Sequence, residues 1–367
     1  MKKICMLTTS EIFHDTRILN EANTLTQKYE MIILARQYPG QKIIKFPFRI
    51  KLIDFLKMPL FQLNIFSSLL SLMKAAFKEN PDIYHAHDLD GLLCAFPAAC
   101  LKHKILIYDS HEFWSDTYPF ANLRSIRWLL PILERLLIWR VKAGITVNES
   151  IARHLREKYR KKFLSLRNLS ARTKKKSGIS LRKLFGQKKI ILHLGAADEG
   201  RGLEEMVKSI QYLPENYILI FLGGGKTESQ IKKMAQKLKL SSRIKFLPAV
   251  LPGQIESSIK DADLGLVLTQ KSSLSYYLSL PNKIFQYLSA GLPILGSNFP
   301  EFKKVIITNR IGEVVNPAKP RLIAQEILKM TKEQNLKKYR RNLYALAKAQ
   351  YTWDIEAQKL LKFYARQ

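Results

Sequence analysis

Lys189-Ile-Ile-Leu-His-Leu-Gly195 reads as a short apolar strand that stops on a glycine, and Ala196-Ala-Asp-Glu-Gly-Arg-Gly-Leu-Glu-Glu-Met206 carries the chain through a polar loop into an amphipathic helix. A strand handed to a helix across a glycine-bearing loop is how a parallel sheet flanked by helices begins. The same opening stands near residue 1, where Ile4–Thr8 is a strand, Asp15–Lys28 is helical and Met31–Ala35 is the next strand. Strands continue at Ile83–His87, Ile105–Tyr108 and Gly144–Val147, with helical patterns between them. After the restart they recur at Tyr217–Leu222, Arg243–Leu247, Leu264–Leu268 and Pro293–Gly296. Two such runs predict an α/β protein of two doubly wound, Rossmann-like domains, each with its own sheet. Joined by a hinge, these domains are expected to face a central cleft, with ligands outside the carboxyl ends of the strands.

Composition agrees with this reading. The chain has 367 residues, which suits two domains of about 150 to 200 residues. Hydrophobic residues make up 47% and charged residues 25%, enough for two cores and too apolar for a disordered chain. Lys and Arg total 61 against 30 Asp and Glu, a formal charge of +31, so an anionic partner is expected: nucleic acid, membrane surface or anionic substrate. Three cysteines, Cys5, Cys94 and Cys100, argue against a disulfide scaffold and fit a reducing cytoplasm. No stretch reaches the roughly 18 uninterrupted apolar residues of a membrane span. The opening Met1–Ser10 reads as a strand rather than a signal peptide. Between the two runs, Arg153–Lys189 holds 15 Lys or Arg and a single acid, Glu157. Within it Ser170–Ser180, polar and without periodicity, is the expected linker.

Candidate chemistry lies in the loops after strands. Arg201, beside the helix that starts near Leu203, is placed to meet a phosphate, because unpaired N–H groups and the helix dipole act together there. Phe221-Leu-Gly-Gly-Gly-Lys-Thr227 is no nucleotide-triphosphate loop, since its first glycine would fall at Ile220. It is either a plain tight turn or a close backbone approach to a ligand around Gly224. Ser275-Tyr-Tyr-Leu-Ser-Leu-Pro-Asn-Lys-Ile-Phe-Gln-Tyr-Leu-Ser-Ala-Gly-Leu-Pro-Ile-Leu-Gly-Ser-Asn298 is the most informative stretch. Pro281 suits a first helical turn and Gly291 a helix end, so Asn282 and Lys283 flank free N–H groups and make a diphosphate site. Gln286, one turn on, can bond ribose hydroxyls. In the first domain, Asp82-Ile-Tyr-His-Ala-His-Asp88 and Tyr108-Asp-Ser-His-Glu-Phe-Trp114 each end a strand with His and acid. No His-x-x-x-His helix or Cys pair accompanies them, which argues against zinc. Asp15 fits a helix N-cap, and Arg17 at the same helix start is a candidate for donor phosphate.

Leu280-Pro-Asn-Lys-Ile-Phe-Gln-Tyr-Leu-Ser-Ala-Gly-Leu-Pro-Ile-Leu-Gly-Ser-Asn298 resembles the donor-site helix of the retaining glycosyltransferase family four, which has the GT-B fold. The likeness extends to Gly195–Met206, Phe221–Gly225, Ala262–Val267 and Tyr351-Thr-Trp353. It implies a nucleotide-sugar donor, no metal and no other cofactor, and a basic pair on the second domain, carried here by Arg201 and Lys283. It implies that His111 faces the reacting centre, with His87, Asp88 and Asp15 on the acceptor and sugar side. The family's two glutamates across the donor loop and helix are replaced by Leu278 and Gln286, and a common basic position after the glycine is Ala196. The expected domains are 1–170, joined by a C-terminal helix 353–367, and 171–352.

The expected function is transfer of a sugar, with retention, to a glycan or lipid-linked acceptor in cell-surface polysaccharide synthesis. The alternative is a non-catalytic homologue acting as a partner subunit. Nucleic acid is disfavoured, because no zinc finger, helix-turn-helix or RNP pattern is present. Peripheral attachment to the inner face of an anionic membrane is expected from the charge and from Arg124–Arg140. There Arg124, Trp128, Arg135 and Trp139 share one helical stripe.

Overall fold

The computed structural model describes residues 1–41, 43–56, 61–113, 124–169 and 177–367. Side chains of 61–62, 124–128 and 347–349 lie outside that description, as does most of the expected linker, at 170–176. The chain divides into two compact units, Met1–Ala171 with Trp353–Gln367, and Arg172–Thr352.

The first unit is a seven-stranded parallel sheet of β1 (Lys3–Thr8), β2 (Glu30–Arg36), β3 (Arg49–Ile53), β4 (Ile83–His87), β5 (Ile105–Ser110), β6 (Ala143–Thr146) and β7 (Phe163–Ser165). Their order across the sheet is β3-β2-β1-β4-β5-β6-β7. Around it lie α1 (Thr16–Leu25), α2 (Phe61–Glu79), α3 (Asp88–Leu101), α4 (Arg124–Ile138) and α5 (Glu149–Tyr159). The second unit opens with α6 (Leu181–Phe185) and then runs β8 (Lys189–Leu194), α7 (Leu203–Ile210), β9 (Tyr217–Leu222), α8 (Glu228–Lys237), β10 (Ile244–Leu247) and α9 (Ile255–Ile259). It continues through β11 (Leu264–Val267), α10 (Leu274–Leu278), α11 (Asn282–Ser289), β12 (Ile294–Ser297), α12 (Pro300–Ile306), β13 (Gly312–Val315), α13 (Pro320–Met330) and α14 (Glu333–Ala349). Its parallel sheet has the order β10-β9-β8-β11-β12-β13. Both orders reverse direction once, at β1/β4 and at β8/β11, and an open sheet leaves a crevice at the carboxyl end of such a reversal.

The central strands read as unbroken apolar runs because helices cover both faces. In β1, Ile4, Cys5, Met6 and Leu7 are fully buried, in register with Met31–Leu34 of β2 on one side and Ile83–Ala86 of β4 on the other. The chain returns to the first unit in α15 (Trp353–Tyr364), which packs on α1. Trp353 donates its indole N–H to Thr24 Oγ1 at 3.0 Å, and the buried Glu356 accepts from Arg167 N at 3.1 Å.

Gly91 brings α3 directly onto β1. A Cβ there would lie 2.7 Å from the Leu7 carbonyl oxygen, a backbone atom with no freedom to withdraw. Gly91→Ala is therefore expected to destabilise the protein by about 1 to 3 kcal/mol through overpacking. That outweighs the roughly 0.5 to 1 kcal/mol that alanine adds to a helix interior. Denaturant unfolding checks this, and an unchanged or raised midpoint would refute the close approach.

Candidate functional site in each unit

In the second unit, two glycine-dependent segments shape the carboxyl end of the sheet. Gly195 ends β8 with φ +90°, and a Cβ there would stand 3.2 Å from Cε of Lys283. Its bare backbone therefore makes room for the lysine stem. Gly223 and Gly225 let the loop after β9 lie against the loop after β8: their Cβ atoms would sit 2.8 Å from Gly195 O and 2.3 Å from Ala197 N. Gly224 has open space above it, and its carbonyl accepts from Ala197 N at 2.9 Å. The glycine run is thus explained first by loop-on-loop packing.

The helix α11 is fixed by Tyr287, which is fully buried. Its hydroxyl accepts from Leu194 N at 2.9 Å and donates to Leu192 O at 3.2 Å, tying α11 to β8. Gly265 of β11 makes room for that ring. Pro281 caps α11 and offers no side-chain acceptor to the first-turn N–H groups. Asn282 is exposed and Gln286 half-buried along this helix. Lys283 reaches inward until Nζ is 3.1 Å from Nε2 of His193, a buried residue of β8. Burial and the neighbouring Lys283 hold His193 well below its ordinary range, so it is neutral. Burial and the charge of Arg201, opposed in part by Asp198, pull Lys283 down to about 7. Arg201 itself lies over the ring of Tyr276 at 5.2 Å. The structure therefore brings Lys283 and Arg201 into one electrostatic field at the β8/β11 reversal, with His193 behind the lysine.

In the first unit, a polar cluster occupies the carboxyl ends of β4 and β5. Arg17 is 1% exposed. Its Nε and Nη2 donate to the two oxygens of Asp109 at 2.9 and 2.8 Å, and its Nη1 donates to Leu166 O at 2.8 Å. Glu21, one turn along α1, lies 3.1 Å from the same guanidinium. Burial and then the Asp109 charge raise the Glu21 carboxyl well above the usual range, while Arg17 and His111 outweigh burial to keep Asp109 ionised. His85 is buried and neutral, mainly through burial, and its Nδ1 is 2.6 Å from the Tyr364 hydroxyl of α15. Its ring stacks on His87 at 4.3 Å. Nδ1 of His87 meets Nε2 of His111 at 3.2 Å.

His111 sits at the surface of this cluster, 19% exposed. Its backbone N–H donates to Asp88 Oδ1 at 2.9 Å, and its Nδ1 lies 3.4 Å from Asp88 Oδ2. Burial opposes a charge on this ring, but Asp88 and Asp109 outweigh it and push the group up to about 10. His111 is therefore an imidazolium at neutral pH: a donor of hydrogen bonds and charge, not a base. Asp88 adopts φ +58°, a left-handed conformation uncommon outside glycine and often kept at functional sites.

Two expectations from sequence are corrected. Arg17 is not available to a phosphate, because its guanidinium is closed in by Asp109, Glu21 and Leu166. His87 is interior and supports His111 rather than facing a sugar. Asp15 caps α1 as expected, accepting from Ile18 N at 3.2 Å and from Ser10 Oγ at 2.9 Å. Glu21, His85, His87 and Asp109 place four potential ligand atoms within 4.8 Å, a metal-binding composition. The guanidinium of Arg17 already supplies the positive charge between the two carboxylates. Sequence reasoning weighed His85 and Asp109 only within motifs considered for zinc, and missed Glu21, His193 and Tyr364. The available signal was a polar residue inside a strand otherwise apolar end to end, as with His193 in Ile190–Leu194.

Comparison with known proteins identifies the family. Residues 15–163 match the model of Glycosyltransferase Family 4, and residues 180–350 match that of Glycosyl transferases group 1. Among curated proteins none matches the chain by sequence. Sucrose-phosphate synthase from Thermosynechococcus elongatus superposes with a TM-score of 0.81 at 14% identity, covering 100% of this chain and 99% of that one. HepE from Anabaena, solved with UDP-glucose, superposes at 0.76 and 14% identity over 100% of both chains. The lipopolysaccharide outer core galactosyltransferase WaaB superposes at 0.70 and 13% identity, again over 100% of both.

The buried cluster has a direct test. Arg17→Met leaves the buried Asp109 carboxylate without its cation and is expected to cost about 3 to 5 kcal/mol of stability. Because Arg17 belongs wholly to the first unit, nucleoside diphosphate affinity measured below the melting transition should stay within about twofold of wild type, whereas a phosphate-contacting arginine would lose at least about tenfold.

Proposed function

We propose, from the premise that the chain is a family four glycosyltransferase of the GT-B fold, that Lys283 and Arg201 hold the diphosphate of a nucleotide-sugar donor. The observation that carries this reading is the state of Lys283. It is a partly buried cation at the start of α11, and its hydrogen bond goes to a neutral imidazole rather than to a carboxylate. Such a charge is unfavourable alone and becomes favourable beside a phosphate. The first-turn N–H groups of α11 add to the same attraction. HepE, solved with UDP-glucose, supports a nucleoside diphosphate sugar as the class of donor. Asn282 and Gln286 are proposed to bond the nucleotide side, and Gly224 to line the approach.

As the glycosidic bond breaks, negative charge gathers on the diphosphate, and Lys283 and Arg201 stabilise it electrostatically. The imidazolium of His111, held by Asp88 and Asp109, is proposed to donate to the transferring sugar, with Asp88 on the acceptor side. With His111 protonated, proton removal from the acceptor hydroxyl falls to the departing diphosphate, which fits front-face displacement with retention. No metal cofactor enters this scheme. The acceptor is proposed to be a glycan or lipid-linked glycan in cell-surface polysaccharide synthesis, reached at the inner face of an anionic membrane. Among the described residues no helix is long and apolar enough to cross that membrane, so attachment would be peripheral.

Mass spectrometry of products from a panel of UDP-, GDP- and ADP-sugars tests the activity. Tight binding of a nucleotide without hydrolysis or transfer would instead favour the partner-subunit reading.

Lys283 adds a test by pH. Its free-state value lies near 7 and a bound phosphate raises it, so binding takes up a proton. Above pH 7 the free lysine is increasingly neutral, and affinity for a nucleoside diphosphate should fall as pH rises. From pH 7.5 to 8.5, where the terminal phosphate (second pKa about 6) is already fully charged, the expected loss is about three- to tenfold. Calorimetry in buffers of different ionisation enthalpy should report net proton uptake. Lys283→Met should abolish the pH dependence and weaken binding by about 1.5 to 3 kcal/mol. A flat profile in the wild-type protein would remove Lys283 from the donor site.

A further inference from the structure

The first unit carries a second charged feature at the edge opposite His111. Because all seven strands run parallel, the loops that enter β5, β6 and β7 share the amino edge of the sheet. There His103 and Lys104, Trp139 with Arg140 and Lys142, and Lys161 surround an open cavity of about 340 Å3. None of its lining residues is acidic. Two of the cationic tips are held by neutral carbonyls: Arg140 Nη2 donates to Lys104 O at 3.0 Å, and Lys161 Nζ to Trp139 O at 3.0 Å. These bonds orient the charges without cancelling them.

An apolar stripe leads to this cavity along α4. Leu129, Ile132, Leu136 and Trp139 are 51%, 48%, 64% and 75% exposed. Their spacing of three, four and three residues puts them on one solvent face within about 100° of arc. The inward face of the same helix buries Leu137, Ile138 and Glu134. Leu101, at the end of α3 beside the cavity loops, is 70% exposed. The expected stripe of arginine and tryptophan is thus an apolar stripe with Arg135 at its border, while the side chains of Arg124 and Trp128 lie outside the described residues.

A soluble polyanion would answer the cavity and leave four large apolar side chains in water. A purely apolar partner would answer the stripe and leave the cations unmatched. An anionic bilayer meets both, with headgroup phosphates at the lysines and the acyl boundary at the leucines and tryptophan. We propose that the amino edge of the first unit docks on an anionic membrane, the cavity taking a lipid phosphate headgroup and the α4 stripe entering the interface. This rests on the reading that the enzyme works at a membrane, and it assigns that contact to one surface instead of to the general excess of charge.

Sedimentation with phosphatidylcholine vesicles, with and without phosphatidylglycerol, tests it at physiological salt. The wild-type protein is expected to pellet only with the anionic vesicles. Lys142→Glu with Lys161→Glu should weaken that binding by at least about tenfold, since each cation near such a surface contributes several-fold. Lys233→Glu with Lys237→Glu, an equal charge change on exposed residues of α8 in the second unit, should change it less than about threefold. Leu136→Ser with Trp139→Ser should leave residual binding that salt abolishes. Melting temperatures identify misfolded variants, and Lys142→Gln with Lys161→Gln gives the same comparison with less perturbation. Equal losses in the two charge-reversal pairs, or unchanged binding in the serine pair, would overturn the docking surface while leaving membrane attachment standing. Wild-type protein that ignores anionic vesicles, or that an oligonucleotide strips from them, would overturn both.

Discussion

Arg17 carries a positive charge where water does not reach it, and the carboxyl edge of the first sheet is arranged around that fact. Burial alone would make a guanidinium there prohibitive, so two carboxylates are drawn to it. Two carboxylates against one cation would leave an excess of negative charge, and Glu21 relieves it by keeping its proton. His85 and His87 stay neutral beside them. His111 and Asp88 form a further balanced pair at the rim. Opposite charges are thus paired throughout the cluster, which draws on α1, β4, β5 and the loop after β5. Removing any one charged member unbalances the rest.

The second unit follows the opposite logic. Lys283 lies in the field of Arg201, which Asp198 opposes in part, and the residue that touches Lys283 is an uncharged histidine. A balanced cluster stabilises a fold. An unbalanced one holds attraction in reserve for something absent from the chain. The two sheets share one strand order, to which the first adds β7, yet one satisfies charge internally at its strand reversal and the other leaves two cations there, which supports the proposed anionic ligand.

Much of this architecture was legible in the sequence. β4 and β9 fall at the expected residues, and the central strands of both sheets agree within a few positions, because a strand buried on both faces must be apolar throughout. The strands that escaped notice are β3, β7 and β13, all at sheet edges. In β3, Arg49-Ile-Lys-Leu-Ile53 keeps charge on an exposed border, which erases the apolar run and also discourages pairing with another chain. Lys283 and Arg201 could be proposed from sequence because loop chemistry is local. The roles of Asp109, Glu21 and His193 could not, because their partners come from other strands and helices, up to 92 residues away in the case of Arg17 and Asp109. Arg17 was misjudged for the same reason: its position at a helix start suggested an anion outside, whereas the anion is supplied from within.

The contacts of α15 have a consequence for how the molecule is made. Thr24, Arg167 and His85 are completed by Trp353, Glu356 and Tyr364, yet the whole second unit lies between Ala171 and Trp353 in the chain. At about 5 to 20 residues per second, a ribosome takes on the order of 10 to 40 seconds to cross that interval. During this time the first unit has been synthesised but not closed, with His85 and its neighbours lacking the tyrosine that seals them. The second unit, continuous in sequence, can fold in that interval. The first unit therefore waits for α15 while the second unit is being made.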